Sequence, residues 1–247
     1  MASTVIKNWD NKTWLSSQNY INSFNDFLIK NTNINSNFKI LDIGCGRGKI
    51  LGSLSSRLKL KYKPLGIDII NHKDRDKRIN FKKANILDLS FRKSQKFDLI
   101  LIKQTIHLIK LNKVKKLLKS LEKILDTKGK ILIFTLDTIN NEIPTFKLMK
   151  LKLSRSLMRD KKILKIITNL YPKRIQKRFV FKVNISKKKY LDMIKNRYIS
   201  TLIPLSKKQI TQGIQEIDYS YKNKLKFKDK LNCIILSLIH ISEPTRH

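Results

Sequence analysis

Three glycines, Gly44, Gly46 and Gly48, stand at alternate positions directly after the apolar segment that begins at Lys39. Glycine adopts positive φ angles readily and lets a ligand approach the backbone, so this pattern predicts a buried strand followed by a ligand-binding turn. Asp42 is placed near the carboxyl end of that strand. A strand, an acidic residue near its end and a glycine-rich turn are typical of the nucleotide-binding crevice of a doubly wound sheet.

The spacing of the glycines excludes two common nucleotide motifs. A dinucleotide fingerprint requires a glycine where this chain has Lys49, and a phosphate-binding P-loop requires Ser or Thr where it has Ile50. The remaining pattern, D-x-G-C-G-x-G, resembles motif I of the class I S-adenosylmethionine-dependent methyltransferases. The specific resemblance covers about residues 38–136. It implies S-adenosyl-L-methionine as the cofactor and methyl transfer as the reaction.

The resemblance also implies a set of cofactor-binding residues in the turn and after the next two strands. Asp68 follows Gly48 by 20 residues, at the end of the second strand, where a carboxylate can accept both ribose hydroxyl hydrogens. Asn85 stands where related enzymes often place an acidic residue facing the adenine amino group. Its side-chain oxygen can accept that N–H, or it can bond to its own backbone in a loop. The predicted cofactor contacts are Asp42, Gly44, Cys45, Gly46, Gly48, Asp68, Ile69, Asn85 and Ile86.

The segment after the fourth strand resembles motif IV of the family, which lines the methyl-transfer site. Its polar members, Lys103, Gln104 and His107, are the candidate catalytic residues. Methyl transfer is an in-line displacement, so the protein mainly aligns the acceptor within roughly 3–3.5 Å and excludes water, without a metal. A base is needed only for an acceptor that must lose a proton. His107 suits that task near neutral pH, although a histidine packed on a helix face fits the sequence equally well.

The order of the apolar segments predicts a doubly wound α/β fold with a mostly parallel sheet of seven strands. Short, nearly continuous apolar runs are what strands covered on both faces require. A helix over 111–125 has a regular apolar stripe, and Gly129 is placed to end it. The predicted strands begin near residues 39, 64, 79, 97, 130, 179 and 231.

The same reading predicts a single methyltransferase domain over residues 1–238 with two helical additions. Residues 1–37 form an N-terminal helical cap. Residues 141–175 form a helical lid insertion after strand five, made of two basic amphipathic helices between 145 and 170, over the carboxyl ends of the strands. The polar tail, 239–247, is interpreted as a non-native remnant.

The net charge of the chain does not decide whether the methyl acceptor is RNA or a small molecule. Lys and Arg number 54 against 18 Asp and Glu, a net charge of +36, which would attract a polyanion such as RNA. A composition shifted towards Lys, Asn and Ile over the whole chain explains the same charge, and no single basic block stands out. We weight that explanation somewhat above RNA binding.

Several motifs of nucleic-acid methylation are missing. No Asn/Asp-Pro-Pro-Tyr segment follows strand four, Lys103 replaces the Asp of ribose 2′-O enzymes, and neither Cys45 nor Cys233 is placed as a nucleophile. A small-molecule methyltransferase is therefore the main prediction. An RNA methyltransferase is the alternative, and an inactive cofactor-binding protein comes third. The cysteine spacing and the lack of an apolar run of about 18 residues favour a cytoplasmic protein without a metal site or a membrane span.

Overall fold

The computed structural model describes residues 13–92 and 94–238. The first twelve residues of the predicted cap and the predicted tail at 239–247 lie outside the described residues. No helix within the described ranges is long and apolar enough to cross a lipid bilayer.

A seven-stranded sheet in the order β3-β2-β1-β4-β5-β7-β6 forms the centre of the molecule. Strands β1 to β5 pair in parallel, and β7 is antiparallel to both β5 and β6. The predicted doubly wound, mostly parallel sheet is therefore confirmed. The strands are β1 (Ile40–Ile43), β2 (Leu65–Asp68), β3 (Asn80–Lys83), β4 (Phe97–Lys103), β5 (Leu125–Leu136), β6 (Ile175–Ser186) and β7 (Lys224–Ser237).

Helices cover both faces of this sheet and enclose two hydrophobic cores. Side chains along a strand alternate between faces, so Ile40 of β1 enters the first core and Leu41 the second. The first core lies under α1, α2, α5 and α6, and the second under α3 and the later part of α4. The helices are α1 (Gln18–Thr32), α2 (Lys49–Leu58), α3 (Leu111–Glu122), α4 (Lys147–Leu170), α5 (Lys187–Lys195) and α6 (Lys207–Ser220).

The segment after β5 forms one helix, so the prediction of two helices between 145 and 170 is wrong. α4 runs without a break for 24 residues. Its apolar stripe shifts because the helix passes from one core to the other: Met149 and Leu153 pack in the first core, whereas Ile163 and Ile167 pack in the second. α4 contacts the short 3₁₀ helix Ile106–Leu108 that follows β4, at the carboxyl end of that strand.

The boundary between α3 and β5 also differs from the prediction. Gly129 does not end a helix, because α3 stops at Glu122 and Gly129 lies within β5. Leu125, which completes the apolar stripe of the predicted helix, instead pairs with Phe97 across an irregular part of the ladder. The apolar periodicity continues past the helix end because the strand that follows enters the same core.

Strands β6 and β7 are longer than predicted and form a hairpin that extends past β5. The last residue of β5, Leu136, pairs with Leu231, so residues 224–230 of β7 have only β6 as a strand neighbour. Because β7 is antiparallel to β5, this extension lies beyond the carboxyl end of β5, on the side of the sheet where the turn after β1 is located.

The buried face of α4 predicts a stability difference between neighbouring positions. We expect Ile163→Ala to lower the free energy of unfolding by about 2–5 kcal/mol, since Ile163 is fully buried in the second core. The matched control Lys162→Ala, on the exposed face, should stay within about 0.5 kcal/mol. Urea denaturation measures both, and equal losses would contradict the position assigned to this helix.

Candidate functional site

The turn between β1 and α2 has no room for a side chain at Gly44 or at Gly48. Gly44, Gly46 and Gly48 have φ angles of 75°, 54° and 69°, in the left-handed region that glycine adopts without strain. A Cβ atom on Gly44 would lie 2.1 Å from Oγ1 of Thr105, and one on Gly48 would lie 2.2 Å from Cδ1 of Ile79. The turn is therefore packed tightly from behind, and its backbone lines the cavity in front of it.

Asp68 joins the end of β2 to this turn. Its Oδ2 accepts the backbone N–H of Gly46 at 2.8 Å, and its Oδ1 accepts that of Ile70 at 2.9 Å. A carboxylate offers about four lone-pair positions, so two further hydrogen bonds can be accepted from a ligand. The side chain is half-buried and lines the same cavity as the glycines.

Asp42 presents a buried oxygen without a protein partner. The residue is 5% exposed, and within the described ranges its Oδ1 accepts no hydrogen bond. Burial raises the pKa of the Asp42 carboxyl to about 7, with Lys103 lowering it and Asp68 raising it further. A buried carboxyl on a cavity wall that lacks a full set of partners is suited to a cationic or hydrogen-bond-donating ligand.

One cavity of about 590 Å³ collects almost all of the predicted site residues. Its volume is within the roughly 300–1,000 Å³ typical of small-ligand sites. All nine predicted cofactor contacts line it, together with Lys103 and Gln104, whereas His107 is not among its lining residues. Leu15 and Ile21 of the N-terminal segment also line the cavity. The sequence did not predict this, because nothing in their local pattern relates them to the turn after β1.

The comparison with protein families decides the class of this site. A family model described as a methyltransferase domain matches residues 34–197, which include the turn, Asp68 and the segment after β4. The chain belongs to this methyltransferase family. The predicted class, an S-adenosylmethionine-dependent methyltransferase with S-adenosyl-L-methionine as its cofactor, is confirmed.

Solved structures with the same fold have low sequence identity to this methyltransferase. The plantazolicin methyltransferase BpumL, in complex with a monoazolic desmethylPZN analogue and SAH, is 19% identical with a TM-score of 0.52, covering 93% of this chain and 88% of that chain. Protein BH2331 from Bacillus halodurans C-125 is 11% identical with a TM-score of 0.56, covering 86% and 97%. The YcgJ protein from Bacillus subtilis is 14% identical with a TM-score of 0.52, covering 87% and 98%. A search of curated protein sequences gives no match.

The methyltransferase holds Lys103 and Gln104 in a constrained arrangement at the end of β4. The Lys103 ammonium lies 5.2 Å from the ring centroid of Tyr20 and 5.4 Å from that of Phe24, and it donates to Oε1 of Gln104 at 3.4 Å. Gln104 has a φ angle of 51°, which costs a non-glycine residue roughly 1–2 kcal/mol. Strained backbone of this kind clusters at functional sites.

His107 lies one residue away from the cavity wall formed by Leu108. Burial, together with the nearby Arg159, lowers the pKa of the His107 imidazole to about 4. Arg159 of α4 donates to the backbone oxygens of His107 and Ile109, at 3.0 and 2.7 Å, and so fixes this segment. The imidazole is therefore neutral at pH 7 and only a weak proton acceptor.

Asn85 and Ile86 close the cavity after β3. Oδ1 of Asn85 accepts the backbone N–H of Leu87 at 3.1 Å, which is the local backbone bond considered from the sequence. One lone pair of that oxygen remains for a ligand, because a carbonyl oxygen can accept two hydrogen bonds. Ile86 is buried beside it and supplies an apolar surface.

The raised pKa of Asp42 predicts how cofactor affinity depends on pH. Near pH 7 the carboxyl of the free protein is about half protonated, and a cationic ligand binds its ionised form more tightly. Affinity for S-adenosylmethionine should therefore increase by roughly tenfold from about pH 6 to about pH 8. Calorimetric titration at both pH values measures this change.

The variant Asp42→Asn is the matched control for this pH dependence. It keeps the size and shape of the side chain but removes the ionisable carboxyl group. We expect the variant to bind the cofactor with an affinity that changes little over the same pH range. An unchanged pH dependence in Asp42→Asn would contradict the assignment.

Proposed function

We propose that this methyltransferase transfers its methyl group to a small-molecule acceptor bound within the cavity. The supporting observation is that one cavity is lined by both the glycine turn and the Lys103-Gln104 segment. Leu15 and Ile21 of the N-terminal segment border the same space. A cofactor and a compact acceptor would therefore share one site and displace water from it, which favours an in-line displacement.

The residues around the turn fit the cofactor in shape and charge. The glycine backbone leaves space for the methionine portion, and Asp42 offers a buried carboxyl oxygen close to it. Asp68 would hold the ribose hydroxyls, while Asn85 and Ile86 would hold the adenine. When bound, S-adenosylmethionine supplies a methyl group on a positively charged sulfur, ready for attack by a nucleophile.

Lys103 and Gln104 are the residues we assign to the acceptor side of the cavity. The Lys103 ammonium is held over two aromatic rings, so that it retains little freedom to reorganise. The carboxyl groups of Asp42 and Asp229 both attract it. Lys103 would position and polarise an acceptor, with Gln104 as a neutral hydrogen-bonding neighbour.

The ribose contact assigned to Asp68 predicts a loss of cofactor affinity. We expect Asp68→Ala to weaken the binding of S-adenosylhomocysteine by roughly 1.5–3 kcal/mol, the size of hydrogen bonds to a charged group. Asp218→Ala, an exposed change on α6 remote from the cavity, is the control and should bind as the wild type does. Unchanged affinity in Asp68→Ala by calorimetry would refute the assignment.

The base role predicted for His107 gains no support from its position or its pKa. If His107 accepted a proton during transfer, His107→Gln would lower kcat by about 10²–10⁴-fold. We expect instead a change of less than about threefold, because the backbone bonds from Arg159 to this segment are retained. Initial rates with the identified acceptor decide between the two values.

The acceptor class can be tested with methyl-labelled cofactor and a fractionated cell extract. We expect the label to enter a low-molecular-weight fraction and to require intact Asp68. Label only in RNA would overturn the small-molecule proposal in favour of the alternative. Cofactor binding without label in any fraction would favour the inactive cofactor-binding protein.

A further inference from the structure

The hairpin of β6 and β7 carries a row of cations on one face, which we call the basic ribbon. Along β7, alternate residues are basic, while Leu225, Phe227 and Asp229 between them are buried. Successive side chains of a strand point to opposite faces, so the basic residues share the outer face. The basic ribbon consists of Arg178 and Lys182 of β6 and Lys224, Lys226, Lys228 and Lys230 of β7.

The strand register brings like charges together on this face. Lys182 is the direct cross-strand partner of Lys228, and like charges at such positions are destabilising. Within the described ranges, Lys182, Lys224 and Lys226 form no ion pair. Asp137 pairs with Arg178 at 3.2 Å and Glu142 with Lys230 at 2.5 Å, and Glu142 also attracts Lys228, so these counter-charges lie at the end of the ribbon nearest β5.

Protection of the sheet edges explains why lysines are present on the hairpin, but not why two of them are direct cross-strand partners. Lysines on an edge strand prevent edge-to-edge pairing, which accounts for the basic residues of β6. Residues 224–230 of β7 also form an edge, because only β6 pairs with them, but edge protection does not require that Lys182 and Lys228 are opposite each other. A general excess of lysine would also distribute charge over the surface, whereas here four cations follow one line.

The shape of the basic ribbon favours a linear polyanion over a flat anionic surface. Alternate residues of a strand are about 6.8 Å apart, so the lysines form a straight series of evenly spaced charges. The aromatic side chains of the hairpin, Phe179, Phe181 and Phe227, face the first core and cannot stack on bases. Recognition would therefore depend on phosphate charge and not on base sequence.

We propose that the basic ribbon binds the phosphate backbone of single-stranded RNA. The ribbon extends past the carboxyl end of β5, on the side of the sheet where the cofactor cavity lies. A bound polyanion would neutralise Lys182, Lys226 and Lys228 and remove their mutual repulsion. This binding surface is separate from the cavity and goes beyond the proposed small-molecule reaction.

Two triple variants of the full chain with equal changes in charge test this proposal. The ribbon variant carries Lys182→Gln, Lys226→Gln and Lys228→Gln; the control carries Lys161→Gln, Lys162→Gln and Lys165→Gln on the exposed face of α4. Fluorescence anisotropy with a labelled oligouridylate, at several salt concentrations, measures binding. We expect the ribbon variant to lose roughly tenfold or more in affinity at about 0.1 M salt and to lower the salt slope by about 2. The control should lose less than about threefold.

Three results would overturn the proposal. Equal losses of RNA affinity in both variants would show that binding depends on the net charge of the protein and not on the basic ribbon. Failure of the wild type to bind the oligouridylate would also overturn it, as would a ribbon variant that loses affinity for phosphatidylserine vesicles but not for RNA. Thermal unfolding of the ribbon variant, expected at an unchanged or higher temperature, confirms that it folds. Its affinity for S-adenosylhomocysteine should equal that of the wild type, so this test is independent of the methyl-transfer site.

Discussion

The hydrogen bond from the Gly46 N–H to Asp68 ties the end of β2 to the turn that leaves β1. It fixes both the backbone that would meet the methionine portion of the cofactor and the carboxylate that would meet the ribose. The turn can adopt this conformation because its three glycines have positive φ angles. Thr105 and Ile79 occupy the space that side chains at Gly44 and Gly48 would need. The parallel pairing of β1 with β2 and β4 holds all of these groups in register.

The site combines negative groups with the excess positive charge of the chain. Asp42 and Asp68 line the cavity, and the Lys103 ammonium lies within the electrostatic reach of Asp42 and Asp229. Asp229 also accepts the indole N–H of Trp14 at 2.9 Å, which connects the 3₁₀ turn Trp14–Ser16 to β7. The same contact therefore places Leu15 at the cavity wall and keeps a counter-charge near Lys103. The buried carboxyl group of Asp229 therefore contributes both to the attachment of Trp14 and to the electrostatics of the site.

Local sequence patterns predicted the glycine turn and the strands, because each of these is determined by residues that are close together in the chain. The glycine spacing gave the turn, the short apolar runs gave all seven strands, and the position of Asp68 after Gly48 placed it in the cavity. The path of α4 was not predictable, since its apolar stripe serves two different cores. The contact of Trp14 with Asp229 joins residues 215 positions apart, and no local pattern signals it. The alternating lysines of β7 were visible in the sequence, but only the cross-strand register shows that they face Lys182 and form one row.

Hydrogen–deuterium exchange with and without S-adenosylhomocysteine tests most directly whether the glycine turn is the cofactor cradle. We expect slower exchange at the backbone amides of residues 44–49 when ligand is bound, with smaller effects at 68–70 and 85–87. Exchange at the basic ribbon should not change. Protection confined to other regions, or no protection at the turn at saturating ligand, would contradict the account.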